Sequence, residues 1–175
     1  MKNQYVVLIL LILLTGCQKQ NSTILPKKPL VQEQEALTKH NQLRAEHFNN
    51  APLQYSLKLE KDAQYYANYL AETGLFTHDP SNLQNKYGEN LYAFSRNTQP
   101  NLSEIIQKWY DEKIYYHEGS CQNGKVCGHY TQIVWRNSKR LGCASAQYKK
   151  GRFKNGYVSV CKYYPYGNIV GQEPY

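Results

Sequence analysis

The sequence predicts an α+β domain in which helices cover a sheet. Two observations lead there. In three stretches between residues 37 and 116 apolar side chains recur at three- and four-residue spacing, as on one face of a helix. In the last third the period shortens, and β-branched or aromatic runs are separated by turn residues. Helices followed by an antiparallel meander define the class.

The chain opens with MKNQYVVLILLILLTGC, one Lys followed by an apolar run from Tyr5 to Leu14. That run is short for a membrane span and suits the central region of a signal peptide. Leu14-Thr15-Gly16-Cys17 resembles a bacterial lipobox, in which Cys17 is lipidated and becomes the mature N-terminus. The expected organisation is a lipoprotein signal peptide over 1–16, a polar tether over 17–31 beginning at lipidated Cys17, and one folded domain over 32–175. The competing reading of the leader is an uncleaved membrane anchor. The tether carries Lys19, Lys27, Lys28, Pro26 and Pro29. As a flexible coil it would reach on the order of 20 Å. The expected location is therefore the bacterial cell envelope or surface, with a lipid anchor as the membrane contact.

Three helices begin the domain. In EALTKHNQLRAEHF, Leu37, His40, Leu43, Arg44 and His47 share a face. In SLKLEKDAQYYANYLAETG the face is Leu59, Ala63, Tyr66, Ala67 and Leu70, with Ser56 as N-cap and Gly74 as terminator. In NLSEIIQKWYDEKIYY, Asn101 and Glu104 form a capping pair ahead of Leu102, Ile105, Ile106, Trp109 and Tyr110. The stretch FTHDPSNLQNKYGENLYAFSRNTQP, between the second and third helices, reads as one long irregular loop. Thereafter TQIVW, LGCASAQY and GYVSVCKYY read as strands, with turns at Asn137-Ser138 and Asn155-Gly156.

Composition bounds the partners. A formal charge of +8 suits anionic envelope ligands or phospholipid, and an exported address argues against nucleic acid. Seventeen tyrosines accompany a single methionine, an excess of side chains that pack and hydrogen-bond at once. Beyond Cys17 four cysteines remain, which in an oxidising compartment make two disulfides with three possible pairings. Cys121 and Cys127 flank a short polar loop, and Cys143 and Cys161 lie on candidate neighbouring strands, so Cys121–Cys127 and Cys143–Cys161 are the favoured pairs. A zinc site of Cys121, Cys127 and His129 has an unfamiliar spacing and is discounted.

GHYTQIVWRNSKRLGCA and VSVCKYYPYGNIVGQEPY resemble the two signature motifs of the CAP superfamily, which groups cysteine-rich secretory proteins, antigen 5 and plant pathogenesis-related class 1 proteins. KHNQLRAEH, YGENLY and KWYDEKIYY resemble its other conserved segments, and the plant class 1 branch is the nearest likeness. The resemblance covers residues 37–175. It implies a three-layer α–β–α sandwich with a mainly antiparallel central sheet (the CAP or SCP fold), and a shallow cleft. The third disulfide of the plant branch would fall near Gly74 and Tyr148, where this chain has no cysteine.

The resemblance also implies a site. Two histidines and two glutamates of the family's cleft map onto His78, Glu89, Glu112 and His129. Such a set suits Zn²⁺ or another divalent cation, with no metal needed for folding. It equally suits a purely structural His–Glu cluster, each Glu fixing an imidazole tautomer. His40 and His47 are expected in helix packing, His117 in solvent, Asn41 and Gln132 on backbone groups, and Trp135 in the core.

No Gly-x-Ser-x-Gly elbow, phosphate-binding loop or His-Glu-x-x-His helix occurs, and the paired cysteines leave no free thiol. No catalytic residue is assigned. The expected function is a non-enzymatic, membrane-anchored binder of a lipid, a sterol or an envelope or host ligand. A metal-dependent hydrolase using the His/Glu set is the second reading. The third reading is implied by the resemblance: PYGNIVGQEPY is similar to the C-terminal segment that plant class 1 proteins can release as a signalling peptide.

Overall fold

The structure, a computed structural model, describes residues 31–47 and 51–175. The expected signal peptide, Cys17 and nearly all of the tether lie outside the described residues. Among the described residues no helix is long and apolar enough to cross a membrane.

In chain order the elements are α1 (Val31–Arg44), β1 (Gln54–Tyr55), α2 (Leu57–Thr73), α3 (Asn82–Asn85), β2 (Gly88–Phe94), α4 (Leu102–Tyr110), β3 (Tyr116–His117), β4 (Ser120–Cys121), α5 (Gly128–Ile133), β5 (Arg140–Gln147) and β6 (Tyr157–Tyr164). The main sheet runs β1-β5-β6-β2. Its β5–β6 and β6–β2 pairings are antiparallel, and only the two-residue β1 joins β5 in parallel. β3 and β4 form a separate small hairpin.

Alternation along the strands divides the sheet into two faces. Leu141, Cys143, Cys161 and Tyr163 face one way and pack with α1, α4 and α5 through Ala36, Leu43, Ile105, Trp109, Tyr130 and Ile133. Ala144, Val158 and Val160 face the other way and pack under Ala63, Tyr66, Ala67 and Leu70 of α2. The result is helix layers on both faces, the sandwich that the family likeness implied. At Gly142 an added Cβ would run into the backbone of Leu59 and Glu60, so α2 lies directly against β5 only because that position lacks a side chain.

α2 is bounded as its sequence suggests. The Ser56 hydroxyl accepts from the Leu59 amide at 3.4 Å. Gly74, at φ 75°, closes the other end by donating to Leu70 O. At α4 the Asn101 side chain accepts from the Glu104 amide at 3.2 Å, and all five apolar stripe residues are buried. Beyond Tyr110 the chain tightens into a 3-10 turn over Asp111–Tyr115.

Both favoured disulfides are formed. Cys143 and Cys161 are direct cross-strand partners on β5 and β6, the geometry in which side chains approach most closely when the pair is not hydrogen-bonded.

Two expectations fail. TQIVW is not a strand: Thr131, Gln132 and Ile133 finish α5, and Val134 and Trp135 turn out of it. The β-branched run is overruled by partners elsewhere in the chain. The Glu112 carboxylate accepts the His129 and Tyr130 amides at the start of α5, and the Thr131 hydroxyl donates back to Cys127 O at 3.0 Å. The long loop also has structure, holding α3 and the whole of β2, a seven-residue edge strand.

α1 is held by a buried cation. Arg44 is fully buried, and its guanidinium donates to Ala51 O, Ile133 O, Trp135 O and Ser138 O at 2.8–3.3 Å. Burial pushes its pKa down to about 10. Two of those carbonyls lie at the end of α5, so α1 fixes the helix that carries His129.

Candidate functional site

The start of edge strand β2 organises the site. Glu89 and Leu91 point to the α2 face, and Asn90 points to the opposite face. On the α2 face, Glu89 Oε1 accepts from the Asp79 amide at 3.1 Å and lies 2.7 Å from His78 Nδ1. Glu89 Oε2 has no hydrogen bond among the described residues and faces Lys162 Nζ at 3.4 Å. Lys162 is buried, and also donates to Asp79 Oδ2 at 2.6 Å and Asn82 Oδ1 at 2.7 Å. One ammonium therefore serves two carboxylates, which keeps a buried charge from standing unpaired.

On the other face, Glu112 Oε1 lies 2.6 Å from His129 Nδ1, while Oε2 accepts the amides of His129 at 3.0 Å and Tyr130 at 3.2 Å. These are backbone donors at a helix start, where no partner within the helix exists. The His129 ring stacks on Trp109, with centroids 5.8 Å apart and planes 12° apart. Asn90 donates to His129 O and to the Tyr163 hydroxyl, each at 3.1 Å. Tyr163 continues to His40 Nε2 at 2.8 Å.

The four residues singled out in the sequence thus form two dyads, His78 with Glu89 and His129 with Glu112, flanking the start of β2. Among the described residues no three His, Cys, Asp or Glu side chains gather closely enough to suggest one metal shell. Both carboxylates are committed to Nδ1. With the carboxylate accepting, Nδ1 carries the proton and Nε2 keeps its lone pair. No hydrogen bond among the described residues ends on either Nε2. The His78 side chain is 65% exposed and that of His129 28%, so an outside ligand can reach both rings.

The hydrogen bond to Glu89 holds His78 above the usual imidazole range, against the opposing effect of burial. Burial pushes Asp79 upward, but Lys162 and the Ser81 donors outweigh it and leave the carboxyl below its ordinary value.

A groove of about 350 Å³ lies beside the first dyad, lined by His78, Asp79, Glu89, Gln132 and residues 166–168 of the C-terminal tail. The tail is stitched in place. Gly167 N donates to Gln132 Oε1 at 2.9 Å, Thr131 Oγ1 to Asn168 Oδ1 at 2.7 Å, and Arg136 N to Pro174 O at 2.6 Å.

The remaining histidines and amides fall where expected. His40 is buried on Ala36 O and Tyr163, His47 is buried against Tyr110, and His117 is exposed. Asn41 satisfies the backbone of Leu53 in both directions, and Trp135 is core. Lys162, Asp79 and Asn90 were not foreseen. The signal for Lys162 was present, because it continues the alternation of Val158 and Val160 and so had to point inward.

Comparison with known proteins gives a consistent result. The family model described as CAP, cysteine-rich secretory protein family, matches residues 37–163. Pathogenesis-related protein 1C of Nicotiana tabacum is 37% identical over 171 residues, 97% of this chain and 90% of its own. Among solved structures, venom allergen-like protein 4 of Schistosoma mansoni superposes with a TM-score of 0.67 at 20% identity, over 84% of this chain and 95% of that one. NaASP2, solved with Zn²⁺, gives 0.61 at 23% identity, over 84% of this chain and 88% of that one.

Proposed function

Because the chain belongs to the cysteine-rich secretory protein family, CAP, we propose that it is a ligand-binding protein of the cell envelope, exported and held to a membrane by lipidated Cys17. Its ligand is a lipid, a sterol, or an envelope or host molecule. The two dyads present His78 and His129 to it, with Zn²⁺ or another divalent cation as the group that links protein to ligand.

One observation carries this reading. In each dyad the glutamate is committed to the imidazole Nδ1, which leaves Nε2 as the free lone pair of a partly exposed ring. That is the arrangement of a histidine metal ligand with its supporting carboxylate. A divalent cation so held would act as a Lewis acid towards an oxygen-bearing ligand. The same commitment favours binding over hydrolysis. Glu112 spends both oxygens on α5, and Glu89 divides its own between His78, the Asp79 amide and Lys162. Neither carboxylate stands ready as a general base.

Calorimetric titration of the purified chain with Zn²⁺ tests the metal reading. The wild type should bind, and His78→Ala and His129→Ala should each remove the binding that its own dyad supplies. Absence of binding in the wild type would leave the dyads as structural braces. The anchor is tested separately by palmitate labelling, which Cys17→Ser should abolish.

A further inference from the structure

A second concave surface lies between α2 and the Asp79–Tyr87 segment, next to the His78 dyad, whose Glu89 faces the cleft's buried Lys162. It is a cleft of about 410 Å³, within the ~300–1,000 Å³ usual for small-molecule sites. Its rim is aromatic. Tyr65 is 77% exposed and Tyr69 46%, one helical turn apart on α2. Tyr66, buried, stacks on Tyr69 with centroids 5.8 Å apart and planes 20° apart. Tyr87 closes the opposite wall. Leaving two large aromatic rings in water adds nothing to folding, but it offers flat apolar faces with polar ends to a partner.

The charges in the cleft decide what that partner is. Lys58 is paired with Asp62 at 2.7 Å, and Lys162 with Asp79 at 2.6 Å. The Tyr87 hydroxyl accepts from Lys58 at 2.6 Å and donates to Asp62 at 2.9 Å. An anionic or cationic ligand would meet no uncompensated charge and would have to break a pair. The ring faces available to a cation are also partly used. Lys162 Nζ lies 5.3 Å from the Tyr66 centroid and 5.6 Å from that of Tyr87, and Lys58 Nζ lies 5.2 Å from Tyr87. What remains are stacking faces, spare carboxylate lone pairs and hydroxyls. These match a neutral polyhydroxylated ring.

We propose that this tyrosine-lined cleft binds a neutral oligosaccharide of gluco-configured, β-linked pyranose rings. Such rings carry their hydroxyls equatorially, so their axial C–H bonds form an apolar face that lies flat on tyrosine while the rim hydroxyls reach Asp62 and Lys58. Tyr65 and Tyr69 supply the platform, and Tyr66 and Tyr87 shape the wall.

The test uses the full chain, titrated calorimetrically with cellotetraose and with chitotetraose up to about 5 mM, the limit of useful affinity. At least one should bind. Tyr65→Ala and Tyr69→Ala should each raise its Kd about tenfold, the size of one lost stacking contact. Tyr65 is largely exposed, so its variant should keep the wild-type melting temperature, whereas Tyr69→Ala also loses the stack on Tyr66 and should lower it slightly. His129→Ala should bind the sugar as the wild type does, which separates this site from the His129 dyad. Three results would overturn the assignment: no binding of either sugar; a Kd unchanged by Tyr65→Ala and Tyr69→Ala; or sugar binding lost in His129→Ala but kept in both tyrosine variants.

Discussion

Glu112→Gln is the substitution that asks most of the site. It preserves size and removes one charge. The carboxylate now makes three contacts, to His129 Nδ1 at 2.6 Å and to the amides of His129 and Tyr130 at 3.0 and 3.2 Å. Hydrogen bonds to a charged acceptor are worth ~1.5–3 kcal/mol and neutral ones ~0.5–1.5. The amide oxygen of Gln can keep both backbone bonds at neutral strength, a loss of about 1 kcal/mol each. Its NH₂ group then faces the Nδ1 proton, donor against donor. His129 can relieve that only by moving its proton to Nε2. The expected destabilisation is about 2–3 kcal/mol, read as a lower urea midpoint and a melting temperature lower by ~6–9 °C. Zn²⁺ affinity should fall ~10–100-fold, because the protonated Nε2 no longer offers a lone pair. Long-range ¹⁵N–¹H spectra report the tautomer directly, with or without metal. A wild-type His129 carrying its proton on Nε2, or a variant with the wild-type urea midpoint, would refute the reasoning.

Other outcomes follow from the same structure. Arg44→Met should cost about 2–4 kcal/mol in urea denaturation: three buried carbonyls lose the guanidinium bond, and among the described residues only Trp135 O keeps another donor, the Ser138 amide, which outweighs relief of the guanidinium's own desolvation. His40 is fully buried, and its pKa is lowered to about 4 by desolvation. Since the unfolded chain takes that proton first, stability should fall as pH drops from about 6.5 towards 4, by roughly 3 kcal/mol for this group. His78, with its raised pKa, acts in the opposite sense, so the comparison to make is the slope of stability against pH in wild type and His40→Gln, where the variant should be flatter. Gly142→Ala should lower the melting temperature sharply, because the new methyl group meets helix backbone rather than a movable side chain; an overpacking cost of ~1–3 kcal/mol is the expected scale.

The sequence was most informative where one rule acted alone. α2 and α4 combine an apolar stripe with a capping side chain, so α2 could be bounded at both ends and α4 at its start by residues named beforehand. Cys143 and Cys161 could be paired because alternating strands bring one residue opposite another. Legibility failed where distant partners override local preference. Thr131, Ile133 and Val134 favour a strand, yet Glu112, 17 residues before His129 and 18 before Tyr130, supplies the acceptor that starts a helix there. β2 was hidden because Gly88, Glu89 and Asn90 break the apolar pattern at the end of the strand that builds the site. The buried face of α1 includes His40 and Arg44, whose satisfaction by Tyr163 and by four carbonyls is visible only in three dimensions. The dyads themselves came from family likeness, since no local spacing unites residues 78, 89, 112 and 129.

The two disulfides differ in more than loop length. Cys143–Cys161 is sealed within the core, whereas Cys121 is exposed and its partner Cys127 is the residue from which α5 starts, two positions before His129. A thiol from outside meets the outer bridge first, and opening it leaves the sheet cross-linked. The two bridges thereby divide the fold into a rim that reduction can open and a centre that it leaves closed, with His129 held by Glu112 and Trp109 in either case.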